Sequence, residues 1–377
     1  DHEYPMDYMN KKSISIVSNN FWTIYKFRLD IINLLISKGY HINLLAGKDS
    51  YLDKFKDPNI TNVVIPMNER GMNIFQEINT FKNIYISHKK LKPNLVFNFT
   101  LKPNIYSGLA CRFLNLKYIS MITGLGHIFI SGSHILKRMI SFLLSCSLKK
   151  SLEVWFTNKF DKSYYEDNKI VSNQFTRIIP GAGALFTENG SEFIYQSNPY
   201  EFVMIARLLK EKGVEEYLKT ALYHKHDANL KFILVGSHKD NKNYISKELL
   251  DEAINSNTII YKEYIDDVTI ILKQTACIVL PSYREGMSTI LLEAAVQKIP
   301  IITTKVPGCI DIVPDESYGT LCEPKDSGSL INSIDRFLKL SEEDLEKQTN
   351  KTYEHVKKNY SRDKILEVYD SCLKYIE

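Results

Sequence analysis

The first ordered pattern in the chain is Ser13-Ile-Ser-Ile-Val17, a β-branched run that halts at Ser18-Asn19-Asn20. Beyond it Phe27, Ile31, Leu34 and Leu35 recur at helical spacing as far as Gly39, so the segment predicts strand, loop, helix. A second strand follows at 41–46, and short apolar runs at 63–66, 95–99 and 118–122 lie between further helical stretches. The pattern then restarts at 202–205, 232–235, 258–261, 277–280 and 301–303, again with helical spacings between the runs. This alternation predicts an α/β protein of two doubly wound parallel sheets. The break falls near Pro180-Gly-Ala-Gly183, where Pro and Gly concentrate, giving domains at 1–182 and 183–360. The last stretch, 361–377, carries Ile365, Leu366, Val368, Tyr369, Cys372 and Leu373 on one helical face. It is expected to be a packing helix that can dock back on the N-terminal domain.

A length of 377 residues fits two such domains better than one core. No window approaches the roughly 18–20 uninterrupted apolar residues of a membrane span, and residues 1–10 lack the charged-then-apolar layout of a secretory signal. Cys111, Cys146, Cys277, Cys309, Cys322 and Cys372 show neither C-x-x-C spacing nor a nearby His pair. That argues against a zinc site and a disulfide framework, and for a cytoplasmic protein whose thiols are small buried hydrophobes.

Charge divides the chain. Residues 1–190 hold 24 Lys/Arg against 14 Asp/Glu, or +10, which leaves 24 against 30, or −6, for the remainder of the 48 and 44. Within 78–152 there are 11 Lys/Arg and no acid. Such a stretch attracts something anionic: a phosphorylated substrate, a membrane surface or nucleic acid.

The chemistry concentrates in Pro281-Ser-Tyr-Arg-Glu285-Gly-Met-Ser-Thr-Ile-Leu-Leu-Glu293-Ala-Ala-Val296. It follows an apolar strand and enters a helix near Ser288 or Thr289. A loop entering a helix offers unpaired backbone N–H groups and the positive end of the dipole, a ready site for phosphate. Glu285 in the loop can accept hydrogen bonds from sugar hydroxyls, and Glu293, about one turn into the helix, from a ribose diol. Taken alone, the two acids are what any solvated helix start displays; the surrounding residues point further.

The strand, the Pro-Ser, the seven-residue gap between Glu285 and Glu293, Gly286 and the Ala-rich helix resemble the signature of the GT-B glycosyltransferases called family 4. Met204-Ile-Ala-Arg207-Leu-Leu-Lys-Glu-Lys212-Gly213 resembles the same family's Arg and Lys pair, and Leu234-Val-Gly236 its next strand-to-loop step. Within the family the chain is most similar to bacterial transferases that add N-acetylgalactosamine to an undecaprenyl-diphosphate sugar, with Ile24-Tyr25-Lys-Phe27-Arg28 and Thr123-Gly124-Leu125-Gly126 as the stretches that resemble this subgroup.

The resemblance implies two Rossmann-like domains facing each other across a cleft, the N-terminal one binding acceptor and the C-terminal one a UDP-sugar donor. It implies that Arg207 and Lys212 grip the diphosphate, in keeping with the bidentate guanidinium and compact ammonium. It assigns the donor sugar to Glu285, the ribose to Glu293 and further donor contacts to Gly236 and the backbone of Gly286, Met287 and Ser288. No Asp-x-Asp metal motif stands in the expected place, so no metal or other cofactor is expected. The resemblance implies retention, and for a retaining enzyme of this type front-face attack assisted by the departing phosphate is expected, because no well-placed carboxylate nucleophile is evident in the N-terminal half, where Asp30 is the main ambiguous acid.

On the acceptor side the first loop, Ser18-Asn19-Asn20-Phe21-Trp22, has no glycine where many members have several. That departure suggests contact through side chains such as Asn19. Arg28 is placed to meet the acceptor's diphosphate, with a plain surface role as the other reading. Thr123 and Gly124 follow a strand at the expected crevice and are acceptor candidates, as are Arg70 and Asn73. His127 is a candidate catalytic residue or a structural one. Residues 134–150 combine Ile135, Leu136, Met139, Ile140, Leu143 and Leu144 with Lys137, Arg138, Lys149 and Lys150. That pattern fits a helix at an anionic membrane, making the protein peripheral on the inner face of the cell membrane, or a helix packed on a core. A sugar-nucleotide epimerase of the same architecture is the alternative function. A nucleic-acid surface is the remote one: the basic residues are interleaved with strand and helix patterns, and no nucleic-acid module is present.

Overall fold

A computed structural model of the chain describes residues 11–67, 73–124, 133–172, 174–187, 190–239, 241–263, 265 and 268–376. They fall into two compact units, Asp1–Ala182 with Asp363–Glu377, and Gly183–Arg362.

The first unit runs β1 (Ser13–Asn20), α1 (Phe21–Ser37), β2 (His41–Gly47), β3 (Ile60–Val64), α2 (Ile74–Leu91), β4 (Leu95–Phe99), α3 (Leu101–Leu114), β5 (Tyr118–Ile122), α4 (His134–Leu148), β6 (Glu153–Phe156), α5 (Lys159–Asp167) and β7 (Phe175–Ile178). Its seven described strands are parallel, in the order β3-β2-β1-β4-β5-β6-β7. β2, β4 and β5 are buried along their whole length, as continuous apolar runs covered on both faces must be. Alternate residues of β4 serve opposite cores. Leu95 and Phe97 pack with α1 residues such as Ile31 and Leu35, while Val96 packs with Ile84 of α2 and Ala110 of α3. The edge strand β3 is only half-buried and lies three residues ahead of the run at 63–66. β6 and β7 escape a hydrophobic reading because β6 opens on Glu153, a buried acid held by Arg177, the Trp155 indole N–H and the Tyr375 hydroxyl.

The second unit runs β8 (Tyr200–Ile205), α6 (Val214–Tyr223), β9 (Leu230–Val235), α7 (Lys247–Asn255), β10 (Ile260–Lys262), α8 (Thr269–Leu272), β11 (Cys277–Leu280), α9 (Thr289–Val296), β12 (Ile301–Thr304), β13 (Thr320–Cys322), α10 (Ser327–Phe337) and α11 (Glu342–Tyr360). Its strands are again parallel, in the order β10-β9-β8-β11-β12-β13. One core joins Phe202, Val203 and Ile278 to Leu218, Leu291 and Ile334.

After α11 comes α12 (Arg362–Ser371) and a final turn, Cys372–Tyr375. Residues from Asp363 onward belong to the first unit. There the Tyr369 ring lies 5.1 Å from Phe97 and edge-on to Trp155 at 4.9 Å, and Lys117 Nζ donates to the Tyr375 carbonyl at 2.7 Å. Of the cysteines, all but half-buried Cys146 are buried, and all are free thiols. Burial pushes Cys111, Cys322 and Cys372 up to about 12, so these three are not nucleophiles at neutral pH.

Candidate functional site

Each sheet has a point where the connections diverge: β1 lies between β2 and β4, and β8 between β9 and β11. In open α/β sheets this divergence opens a crevice beyond the carboxyl ends of the strands. In the second unit the segments at that edge are 206–213, leaving β8, and 281–288, leaving β11.

The two segments are fastened together. Lys210–Lys212 forms a short 3-10 turn, and Gly213 follows at φ 74°. A Cβ on Gly213 would stand 2.0 Å from the Pro281 carbonyl oxygen, so only glycine allows the contact. The Tyr283 N–H donates to the Glu211 carbonyl at 2.8 Å, and the Tyr283 hydroxyl reaches both carboxylate oxygens of Glu216 at 2.7 and 2.9 Å. Burial and the Glu216 carboxylate raise the Tyr283 phenol well above its usual range, so it remains a donor.

Within this frame the Lys212 Nζ donates to Glu285 Oε1 at 2.6 Å, and the Ser282 hydroxyl donates to the same oxygen at 2.7 Å. Glu285 is buried, and a buried carboxylate needs such partners. Its charge is felt nearby: burial first, then Glu285, push the Cys309 thiol up to about 12. The loop after β12 covers it from the other side. Pro307 accepts from the Glu285 N–H at 3.3 Å, and a Cβ on Gly308 would lie 2.6 Å from the Glu285 carbonyl oxygen.

Gly286 and Met287 are half-buried and lead to Ser288, whose hydroxyl caps α9 by accepting from the Leu291 N–H at 3.4 Å. This is the expected loop-to-helix step, with its positive dipole end beside Glu285. Glu293 is exposed on α9, and Arg207 is exposed on the segment leaving β8. Gly236 ends β9 beside Ala206, its carbonyl accepting from the Tyr261 hydroxyl at 2.9 Å. The structure thus joins Lys212 and Glu285 directly and arrays the other donor-side candidates along strand ends of the same unit. Sequence reasoning gave no role to Ser282, Tyr283, Glu216 or Gly308. Val306-Pro307-Gly308 carries a readable turn signal; the Tyr283–Glu216 pairing spans 67 residues and leaves no local trace.

The first unit corrects several expectations. No loop occupies 18–20: β1 runs to Asn20 and α1 begins at Phe21, with Asn20 as its cap. Asn19 Oδ1 accepts from the Thr100 hydroxyl at 2.9 Å, which binds the ends of β1 and β4 together. Arg28 is no surface residue. It is buried, with its guanidinium 4.2 Å above the Phe99 ring, NH1 donating to the Phe27 carbonyl at 2.9 Å and NH2 3.6 Å from Met121 Sδ. The helix carries it inward because residue 28 falls on the same face as Ile24, Ile31 and Leu35. Asn73 caps α2, its side chain accepting from the Phe75 and Gln76 N–H groups. Thr123 and Gly124 are half-buried just past β5. Arg70 and His127 lie outside the described residues.

The family described as glycosyl transferases group 1 matches residues 189–355, the span that contains this site. Among curated proteins, the N,N'-diacetylbacillosaminyl-diphospho-undecaprenol alpha-1,3-N-acetylgalactosaminyltransferase of Campylobacter jejuni is 24% identical over 382 residues, covering 96% of this chain and all of that one. The UDP-Gal:alpha-D-GlcNAc-diphosphoundecaprenol alpha-1,3-galactosyltransferase of Escherichia coli is 23% identical, over 83% of this chain and 84% of its own. Among solved structures, sucrose-phosphate synthase from Thermosynechococcus elongatus superposes with a TM-score of 0.78 at 15% identity, over 97% of this chain and 98% of that one. Residues 189–355 are a group 1 glycosyl transferase domain, and the chain is a glycosyltransferase of the GT-B fold.

Proposed function

We propose that the protein is a retaining glycosyltransferase that moves a hexose or N-acetylhexosamine, N-acetylgalactosamine foremost, from a UDP-sugar to a polyprenyl-diphosphate-linked saccharide at the cytoplasmic face of a bacterial membrane. The observation that carries the reading is the Lys212–Glu285 contact at 2.6 Å, set at the diverging strand ends of the second sheet and beside the start of α9. An ammonium and a carboxylate so held offer a phosphate grip and a sugar-hydroxyl acceptor within one side chain's length of each other.

In this reading Arg207 and Lys212 neutralise the diphosphate as the bond between it and the anomeric carbon breaks, and the backbone of Gly286, Met287 and Ser288 lines the sugar and phosphate. Gly236 completes that lining and Glu293 takes the ribose hydroxyls. The acceptor hydroxyl attacks from the face the diphosphate leaves and gives its proton to the departing phosphate oxygen. Arg207 and Lys212 supply the positive charge, so no metal or other cofactor is required. Asn19, Arg70, Asn73, Thr123 and Gly124 remain the acceptor-side candidates, with Arg28 supporting that edge from beneath and His127 as the catalytic candidate of the first unit. The names of the two relatives support the acceptor class, since both specify diphospho-undecaprenol-linked sugars, and one specifies a UDP donor.

The test is a screen of UDP-sugars against short prenyl-diphosphate saccharides, with UDP release and the product's anomeric configuration followed by NMR. UDP release that requires acceptor, retention at the anomeric carbon and indifference to chelator are expected. Interconversion of the nucleotide-sugar without acceptor would overturn transfer in favour of the epimerase, and an inverted product would overturn retention.

A further inference from the structure

In the proposed reaction Lys212 has two anions to serve with one ammonium. Its Nζ donates to Glu285 Oε1 at 2.6 Å, and the donor's diphosphate calls for the same charge. Glu285 stands in the loop leaving β11 with its side chain only 9% exposed. Burial penalises an unpaired carboxylate heavily, so Glu285 has to keep a donor. When the diphosphate draws Lys212 away, a second group must hold it.

Ser282 meets that need by position and by chemistry. Its hydroxyl donates to Glu285 Oε1 at 2.7 Å, the same oxygen that Lys212 holds, and the residue is fully buried. A hydroxyl carries no net charge, so the diphosphate pulls on it far less than on an ammonium. Its place is also fixed. Ser282 follows β11 closely, the Thr304 hydroxyl donates to its carbonyl, and Pro281 before it lies against Gly213. Lys212 has a long flexible stem and a side chain 18% exposed, which lets its ammonium follow a ligand. Both donors fall on one carboxylate oxygen. Oε2 accepts from no described residue and is open to solvent, as an oxygen that receives a sugar hydroxyl must be.

We propose that Ser282 is a positioning residue: it holds Oε1 of Glu285 while Lys212 turns to the donor's diphosphate, and so keeps Oε2 aimed at the donor sugar. The ion pair of the free protein is then one end of a handover, in which Lys212 exchanges Glu285 for phosphate and Ser282 alone keeps the buried carboxylate satisfied. This deepens the UDP-sugar reading of the same site and rests on it.

The experiment is calorimetric titration of the full chain with UDP, in the wild type, Ser282→Ala, Glu285→Gln and the double variant. Ser282→Ala should weaken UDP binding by about tenfold to a hundredfold, because Lys212 can then reach the diphosphate only by leaving a buried carboxylate without a donor. In the Glu285→Gln background no charge is left behind, and the same serine change should alter the affinity by less than about twofold. A serine that merely packs the strand end would cost the same in both backgrounds. Equal losses in the two would therefore overturn the handover, as would wild-type affinity in Ser282→Ala. Ser282→Cys retains a side chain of similar size with only a weak S–H donor, which guards against a smaller residue loosening the strand end. It should lose affinity as Ser282→Ala does, and wild-type affinity in it would also overturn the proposal. A wild type that binds no UDP would instead overturn the donor reading on which the handover rests.

Discussion

The two sheets share one plan, yet the edges where their connections diverge are finished differently. In the first unit the ends of β1 and β4 are joined by a neutral contact, the Thr100 hydroxyl on Asn19, and Asn20 turns back to cap α1. Thr100 holds φ 70°, a left-handed backbone for a β-branched residue. In the second unit the ends of β8 and β11 are held by charge, Lys212 on Glu285, inside a frame of close backbone contacts at Gly213 and Gly308. One edge is closed on itself by neutral groups; the other holds ionised groups in register. A site that manages developing phosphate charge needs preorganised charge of its own, so catalysis should be far more sensitive to the second edge than to the first.

The largest effect tests that inequality directly. Lys212→Ala and Glu285→Gln should each lower kcat/KM by about 10²–10³, the scale of removing one preorganised charge-stabilising contact. Each should leave the far-ultraviolet spectrum unchanged. Glu285→Gln keeps the shape and one acceptor while removing the charge that pairs with Lys212, so loss there reports electrostatics. Asn19→Ala should cost about tenfold or less, as a single neutral hydrogen bond would. Equal losses at Asn19 and Lys212 would break the comparison.

The same contrast explains what the chain shows before it is folded. Alternating apolar runs disclosed both sheets because buried parallel strands must be continuously apolar; Leu95–Phe99, Tyr118–Ile122 and Cys277–Leu280 match their predicted runs residue for residue. β6 was hidden by Glu153, whose partners Arg177 and Tyr375 come from elsewhere in the chain. The charged edge was legible because loop, cap and helix are contiguous from Pro281 to Glu293. Ser282 and the Tyr283–Glu216 tie were not, since they depend on which segments the sheet brings together. Arg28 misled for a related reason: an Arg in a helix reads as surface, and only the ring of Phe99 beneath it reveals the buried setting.

A second contrast lies in response to acid. His88 of α2 is fully buried against the Ser107 hydroxyl at 2.8 Å, and burial lowers its pKa from 6.5 to about 4. Between those values the unfolded chain takes up a proton that the folded unit refuses, so stability falls as pH drops from 6.5 and the loss is complete near pH 4. The full difference is roughly 3 kcal/mol at 1.36 kcal/mol per unit of pKa. The first unit should therefore loosen ahead of the second in urea melts at pH 5 relative to pH 7, followed by the fluorescence of Trp22 and Trp155, the two tryptophans of the sequence, both in the first unit, against the far-ultraviolet circular dichroism of the whole chain. His88→Gln should flatten this slope; an unchanged pH dependence would remove His88 as its source.

The smallest effect sharpens the claim that the second edge is a frame and not a single pair. Tyr283→Phe deletes the hydroxyl that donates to both oxygens of Glu216 and leaves a buried carboxylate short of a donor, a cost of about 1–3 kcal/mol. The Tyr283 N–H remains on the Glu211 carbonyl, and Gly213 still lies against Pro281, so the loop stays in place but less firmly. Lys212 and Glu285 keep their contact. The expected result is a KM for the UDP-sugar raised about three- to tenfold with kcat changed less than about twofold, since a loosened binding edge weakens ground and transition state alike. A kcat loss approaching that of Lys212→Ala would mean that the hydroxyl itself acts in the reaction. An unaltered KM would mean that the two backbone fastenings alone set the register of Glu285.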